Sequence, residues 1–282
     1  MLIVDSQVHI WGPDTPERPW AQGEWSQAGQ PVFGLAQLLQ EMKGAGVDRV
    51  VIVPPGLEGE RDDLALAAAH SDPDKFAVMG KLDAEAAGSR GRVSSLRSMP
   101  GMLGLRFNFR DAHQQSVLLA GGMEWVWREA EQAGVPVYIY ALHPMSHLIG
   151  AVAERHPALR ITLDHLGMHP HERDAHAYRD FDQVLALAKH PNVAAKASAL
   201  PCTSSAAYPY CNVHPYLRKA YDAFGPRRLF WGTDWTRMKF SSDCTYRQAV
   251  TMFTEGLPWL SAEDKEWIMG RGVCEWLGWK RA

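Results

Sequence analysis

Leu2-Ile3-Val4-Asp5-Ser6-Gln7-Val8-His9-Ile10-Trp11 opens the chain with the apolar, β-rich texture of a buried strand, yet carries polar side chains inside it. Side chains alternate across a strand, so the pattern predicts Asp5, Gln7 and His9 on one face and Val4, Val8 and Ile10 on the other. One face packs and the other is equipped for chemistry. In a closed parallel barrel the polar face would turn inward, with Gln7 and His9 at the carboxyl-end mouth where such folds place their sites.

The rest of the chain repeats one phrase: an amphipathic helix, a Gly or Pro stop, then a short β-rich run. Leu35, Leu38, Leu39 and Met42 fall at helical spacing, Gly44 and Gly46 end that helix, and Val50 to Val53 follow before Pro54-Pro55. Equivalent runs are read at 76–80, 102–107, 135–140, 159–163, 193–196 and 229–232, which with the opening strand and the run at 50–53 makes eight. Eight strands alternating with helices predict an α/β fold of the (β/α)8, or TIM-barrel, type. No linker or low-complexity block interrupts the units, so residues 1–282 are expected to form a single domain, completed by a helix near Glu263 to Leu277. The long non-helical stretches 11–33 and 200–215 both follow strands, where loops build the functional face.

Composition narrows the function classes. The 282 residues are 46% apolar and 22% charged, and no apolar run approaches the roughly 20 residues that span a bilayer. A net charge of −3 without a basic stripe argues against nucleic acid as a partner. The four cysteines, Cys202, Cys211, Cys244 and Cys274, form no C-x-x-C pair, which favours free thiols; with no basic leader before the first strand, the expected location is cytoplasmic. Homo-oligomer formation is left open. There is no G-x-S-x-G elbow, P-loop or dinucleotide fingerprint.

Polar residues recur at the expected strand ends: Gln7 and His9, Arg106 and Asn108, Asp164 and His165, Lys196 and Ser198, and Asp234. One such residue is ordinary in a turn or cap, but a shared end for His, His, Arg, Lys and Asp from five strands points to one site. Water attack on an ester needs a base and donors for the developing oxyanion. Asp234 suits the first role, and His9 and His165, or a metal, the second. The planar fork of Arg106 suits a substrate carboxylate, or alternatively a buried pair with a barrel carboxylate such as Asp5. Lys196 either binds the same anion or holds Asp234 ionised. Trp11, Trp235 and Tyr208-Pro209-Tyr210 are candidate pocket walls. His143 is expected to be structural, His169, His171 and His176 to lie on a loop, and His156 and His190 to sit at the opposite end.

The blocks D-S-Q-V-H-I-W at 5–11, G-L-R-F-N at 104–108, L-D-H-L-G at 163–167, V-A-A-K-A-S-A-L at 193–200 and F-G-P-R-R-L-F-W-G-T-D-W at 224–235 resemble the amidohydrolase superfamily. Within it they resemble the amidohydrolase-related branch of pyrone-dicarboxylate and sugar-acid lactonases. The resemblance implies an amidohydrolase-like barrel and a hydrolase that opens the lactone ring of a carboxylated or sugar-acid substrate. Catalytic Asp234, His9 and His165 and substrate-binding Arg106, Gln7, Trp11 and Lys196 are the residues it points to. A metal-dependent decarboxylase of the same superfamily and a non-catalytic small-molecule binder are the alternatives. The superfamily's opening His-x-His reads Gln7-Val8-His9 here, and an amide is a poor ligand beside an imidazole. Zinc on His9, His165 and Asp234 is therefore expected to be weak or absent, and Gln7→His to strengthen it.

Overall fold

In the computed structural model, which describes residues 1–21, 31–169 and 171–280, eight parallel strands pair in chain order. They are β1 (Val4–Val8), β2 (Arg49–Ile52), β3 (Phe76–Gly80), β4 (Met102–Asn108), β5 (Val137–Tyr140), β6 (Ile161–Leu163), β7 (Val193–Ser198) and β8 (Leu229–Gly232). Helices pack between them, as the repeated phrase requires. The helix Leu35–Ala45 shows the local logic: Leu38, Met42 and Ala45 face the strands, and Gly46, at φ 78°, turns the chain into β2 in a backbone region that suits glycine. This is the expected TIM-barrel fold.

Side chains sort into two apolar layers. Val50, Ile52, Val78, Val137, Ile139, Ile161 and Leu163 join the core shared with the helices. Val4, Val51, Val53, Met79, Tyr138 and Phe230 fill a second cluster, closed from the chain's end by Val273 and Leu277. The closing segment is helical as expected, in three pieces, with a π-helical turn at Trp267–Arg271 between Ala262–Glu266 and Gly272–Leu277. Of the expected non-helical stretch 11–33, residues 22–30 lie outside the described residues, and 200–215 contains only short 3-10 turns before a helix begins at His214. Among the described residues, no helix is long and apolar enough to cross a membrane.

The opening strand departs from simple alternation. Its register with β2 shifts between Asp5 and Val8, so Val4 packs in one cluster and Val8 in the other. An irregularity of this kind moves the following side chains to the opposite face. Asp5 is consequently separated from Gln7 and His9. Its Oδ1 accepts from the Thr233 and Gln7 amides at 2.9 and 3.0 Å, and its Oδ2 accepts from the Tyr246 hydroxyl at 2.7 Å and from the Thr233 hydroxyl. These bonds, with the Asp234 N–H donating to the Gln7 carbonyl at 2.9 Å, tie the start of the barrel to its end. Asp5 is a seam residue, and the expectation that it shares the polar inner face is corrected.

Candidate active site

The strand ends surround a cavity of about 320 Å³ whose lining includes Gln7, His9, Arg106, Tyr140, His165 and Asp234. His9 follows the last residue of β1, Arg106 lies on β4, and His165 and Asp234 come two residues after the ends of β6 and β8. Both His165 and Asp234 adopt φ 52°, a left-handed conformation uncommon for side chains other than glycine. Backbone of this kind concentrates at sites where direction of a side chain matters more than local ease.

His9 Nε2 lies 2.9 Å from Asp234 Oδ1, and His9 Nδ1 lies 2.5 Å from the Val53 carbonyl oxygen. A carbonyl only accepts, so Nδ1 carries a proton and the ring is aimed at Asp234 by its far side. Burial alone would raise the Asp234 pKa, but the charge and hydrogen bond of His9, with the charge of Arg237 behind them, hold it well below the usual carboxylate range. His165 goes the other way. Burial pushes its pKa down to about 3 against the pull of Asp234 and Asp164, leaving a neutral imidazole. Its Nε2 stands 3.7 Å from Asp234 Oδ2, beyond hydrogen-bond range.

Arg106 is 14% exposed in its side chain, lines the cavity and also donates from Nε to Asp164 Oδ2 at 3.2 Å. Its buried partner is thus Asp164 rather than Asp5. Lys196 is fully buried, does not reach the cavity wall, and pairs with Asp164 Oδ1 at 2.7 Å. Of the two roles expected for Lys196, contact with the substrate anion does not match this placement, while its charge acts on Asp234 from a distance rather than by direct contact. Burial lowers its pKa to about 8 although Asp164 opposes the shift. Asp164 stays ionised despite burial because Lys196 and Arg106 flank it.

Trp11 lines the cavity, whereas Trp235 stacks on Tyr246 at 4.6 Å and Tyr208 bonds Thr251 at 2.9 Å, both away from it. His143 is buried and bonds the Ala177 carbonyl at 3.0 Å, in keeping with a structural role. Three cations escaped sequence reading, Lys81, Arg110 and Arg237, all on the cavity wall. A signal existed for the two arginines. Arg110 continues the period-two series Arg106, Asn108 beyond β4, and Arg237 lies three residues after Asp234 in the helix Trp235–Ser241, a spacing that returns it to the same side. Arg110 and Arg106 both approach the Tyr140 ring, at 5.0 and 5.5 Å from its centre.

Zinc requires lone pairs converging from three or more ligands. Among the described residues no group of three His, Cys, Asp or Glu side chains is placed to hold a metal ion. The reason is visible at His165, whose Nε2 faces the Gln7 side-chain nitrogen at 3.2 Å, so its lone pair already accepts a hydrogen bond. The residues present do not fit a zinc site as they stand.

A family model described as amidohydrolase matches residues 4–271. The chain is 27% identical over 241 residues to an L-fucono-1,5-lactonase of Burkholderia ambifaria, covering 82% of this chain and 79% of that protein. It is 26% identical over 235 residues to a 4-sulfomuconolactone hydrolase of Hydrogenophaga intermedia, covering 82% and 73%. Among solved structures, an amidohydrolase of Burkholderia multivorans with bound zinc superposes with a TM-score of 0.81 at 21% identity, covering 99% of both chains.

Proposed function

This chain belongs to the amidohydrolase family, and we propose that it opens the ring of a negatively charged lactone by water attack. The observation that carries the reading is Asp234: a carboxylate kept ionised by His9, on the floor of a cavity whose wall also holds Arg106, Arg110 and Arg237. That cavity suits an anion, because among the described residues its acidic lining residues are only Glu60 and Asp234 against these three guanidiniums and Lys81. The two curated relatives, named as a lactonase and a lactone hydrolase, support the same reaction class.

In this mechanism Asp234 Oδ2 takes a proton from water as the water oxygen bonds to the lactone carbonyl carbon. A guanidinium of the wall receives the oxyanion, with Arg106 nearest the floor, while others hold the substrate's own negative group. The intermediate collapses by breaking the ring C–O bond, and the proton held by Asp234 passes to the leaving alkoxide. The product is a hydroxy acid. At neutral pH it releases one proton per turnover.

The reading uses no tightly held metal, on the ground that Gln7 stands in the first ligand position and caps His165. The test is a screen of carboxylated and sugar-acid lactones recording proton release, with carboxylated aromatics monitored for carbon dioxide in parallel. Lactone hydrolysis lost in Asp234→Asn supports the proposal. Carbon dioxide release without lactone opening would assign the cavity to decarboxylation instead, and saturable binding without turnover would make the protein a small-molecule binder.

A further inference from the structure

Beneath the cavity floor runs a chain of buried side chains that the proposed reaction does not itself consume. Lys196 Nζ donates to Asp164 Oδ1 at 2.7 Å and to Gln7 Oε1, and lies 3.8 Å from the centre of the Tyr138 ring. An ammonium has donors and no acceptor, so the Gln7 atom facing it must be the carbonyl oxygen. This determines the amide's orientation from its network. The Gln7 NH2 group therefore points the other way, to His165 Nε2 at 3.2 Å. A donor there requires a lone pair on Nε2. The ring proton of a neutral His165 then sits on Nδ1, where it donates to the Ser198 hydroxyl oxygen at 2.7 Å.

We propose that Lys196 is a positioning residue that acts through Gln7 to hold His165 in its Nδ1–H tautomer. The consequence falls on Asp234. Its Oδ2 is 3.7 Å from His165 Nε2, and the opposite tautomer would place a partly positive hydrogen on the ring nitrogen nearest that oxygen. Positive charge brought closer to a carboxylate makes it a weaker base. By capping Nε2 with an amide proton, the Lys196–Gln7 pair leaves Oδ2 available for water. The same cap removes the lone pair that a zinc ion would need, so one buried ammonium accounts for both the free base and the poor metal site. Asp164 is the anchor of this arrangement, since it holds Lys196 with one oxygen and Arg106 with the other.

The inference rests on the lactonase reading only for its kinetic arm, because the tautomer can be measured without substrate. The experiment is nitrogen-15 NMR of the histidine-labelled full chain, with the His165 signals assigned by their loss in His165→Asn. Wild-type protein is expected to show a protonated Nδ1 and an unprotonated Nε2 at His165. In Gln7→Glu, one carboxylate oxygen stays on Lys196 and the other turns to the ring, where an acceptor calls for a proton on Nε2. The two nitrogen signals should therefore exchange character, with the Ser198 hydroxyl rotating to donate to Nδ1. Lys196→Met, which frees the amide to rotate, should populate both tautomers. Should Lys196→Met fail to fold, the nearly isosteric Gln7→Glu still decides the matter. An Nε2–H tautomer in the wild type, or an unchanged tautomer in folded Gln7→Glu, overturns the proposal. On an identified lactone, Gln7→Glu should lower kcat by about tenfold or more with KM changed by less than about threefold. The reverse split, with KM rising and kcat kept, would also overturn it. A lactone screen that finds no substrate leaves the tautomer result standing, so the two readings fail separately.

Discussion

The imidazole of His9 bridges the Val53 carbonyl and the Asp234 carboxylate, at 2.5 and 2.9 Å from its two nitrogens. The bridge joins the ends of β1 and β2 to the turn after β8, so the ionised state of Asp234 depends on the barrel having closed. The ionisation of Asp234 and the closure of the barrel are thereby coupled at one ring.

Asp234→Asn should retain the fold, since the side chains are nearly isosteric and the backbone N–H that donates to the Gln7 carbonyl is untouched. Turnover should fall by roughly 10²-fold or more, the usual scale for loss of an acid–base group. Steady-state kinetics beside circular dichroism checks both halves.

Arg110 and Arg106 should respond differently to removal. Arg110 donates from Nε to Asn108 Oδ1, a neutral group, at 3.1 Å, so Arg110→Ala should raise KM for acidic lactones with little change in melting temperature. Arg106→Ala should raise KM and also lower the melting temperature, because Asp164 loses one of its two cations. A neutral lactone analogue should be much less affected by either change.

Zinc affinity should depend on two positions together. Gln7→His alone places an imidazole beside the buried Lys196 ammonium, whose charge opposes a divalent ion, so the gain should be small. Gln7→His combined with Lys196→Met should bind zinc far more tightly. Metal content after dialysis against a defined zinc concentration distinguishes the two.

Stability should carry an acid dependence traceable to His165. Its folded pKa of about 3 lies below the free value of 6.5 because burial disfavours the charged ring, so between these pH values the unfolded chain binds more protons. Stability from this group is complete above about pH 6.5 and is lost as pH falls through that window, by about 2 kcal/mol between pH 6.5 and 4.5. Asp5, raised by burial to about 6, acts with the opposite sign over part of the range, so wild-type curves alone would blur the effect. The measurement is therefore a difference: denaturant melts of His165→Asn should show a shallower pH dependence than the wild type.

Much of this was legible in one dimension. The helix, stop and strand phrase repeats because each unit obeys local rules of backbone sterics and apolar period, and the polar strand ends, Gln7, His9, Arg106, His165 and Asp234, all line the cavity. The misreadings are equally specific. Asp5 left the inner face because a register shift in β1 interrupts the alternation, and nothing in V-D-S-Q-V announces where such a shift falls. Arg110 and Arg237 follow simple spacing from residues already noticed, yet both lie beyond strand ends, where the period is no longer imposed by a sheet.

The sequence by itself determined which residues could form strands, where those strands stop and which polar groups reach the mouth, since these follow from interactions between near neighbours. Only the tertiary structure decided what each polar group faces. Lys196 and Gln7 are separated by 189 positions, and Arg106 and Asp164 by 58. Their pairing depends on the register of strands across a closed barrel, where burial makes an unpartnered charge so costly that each must find the counterpart that the assembled fold presents.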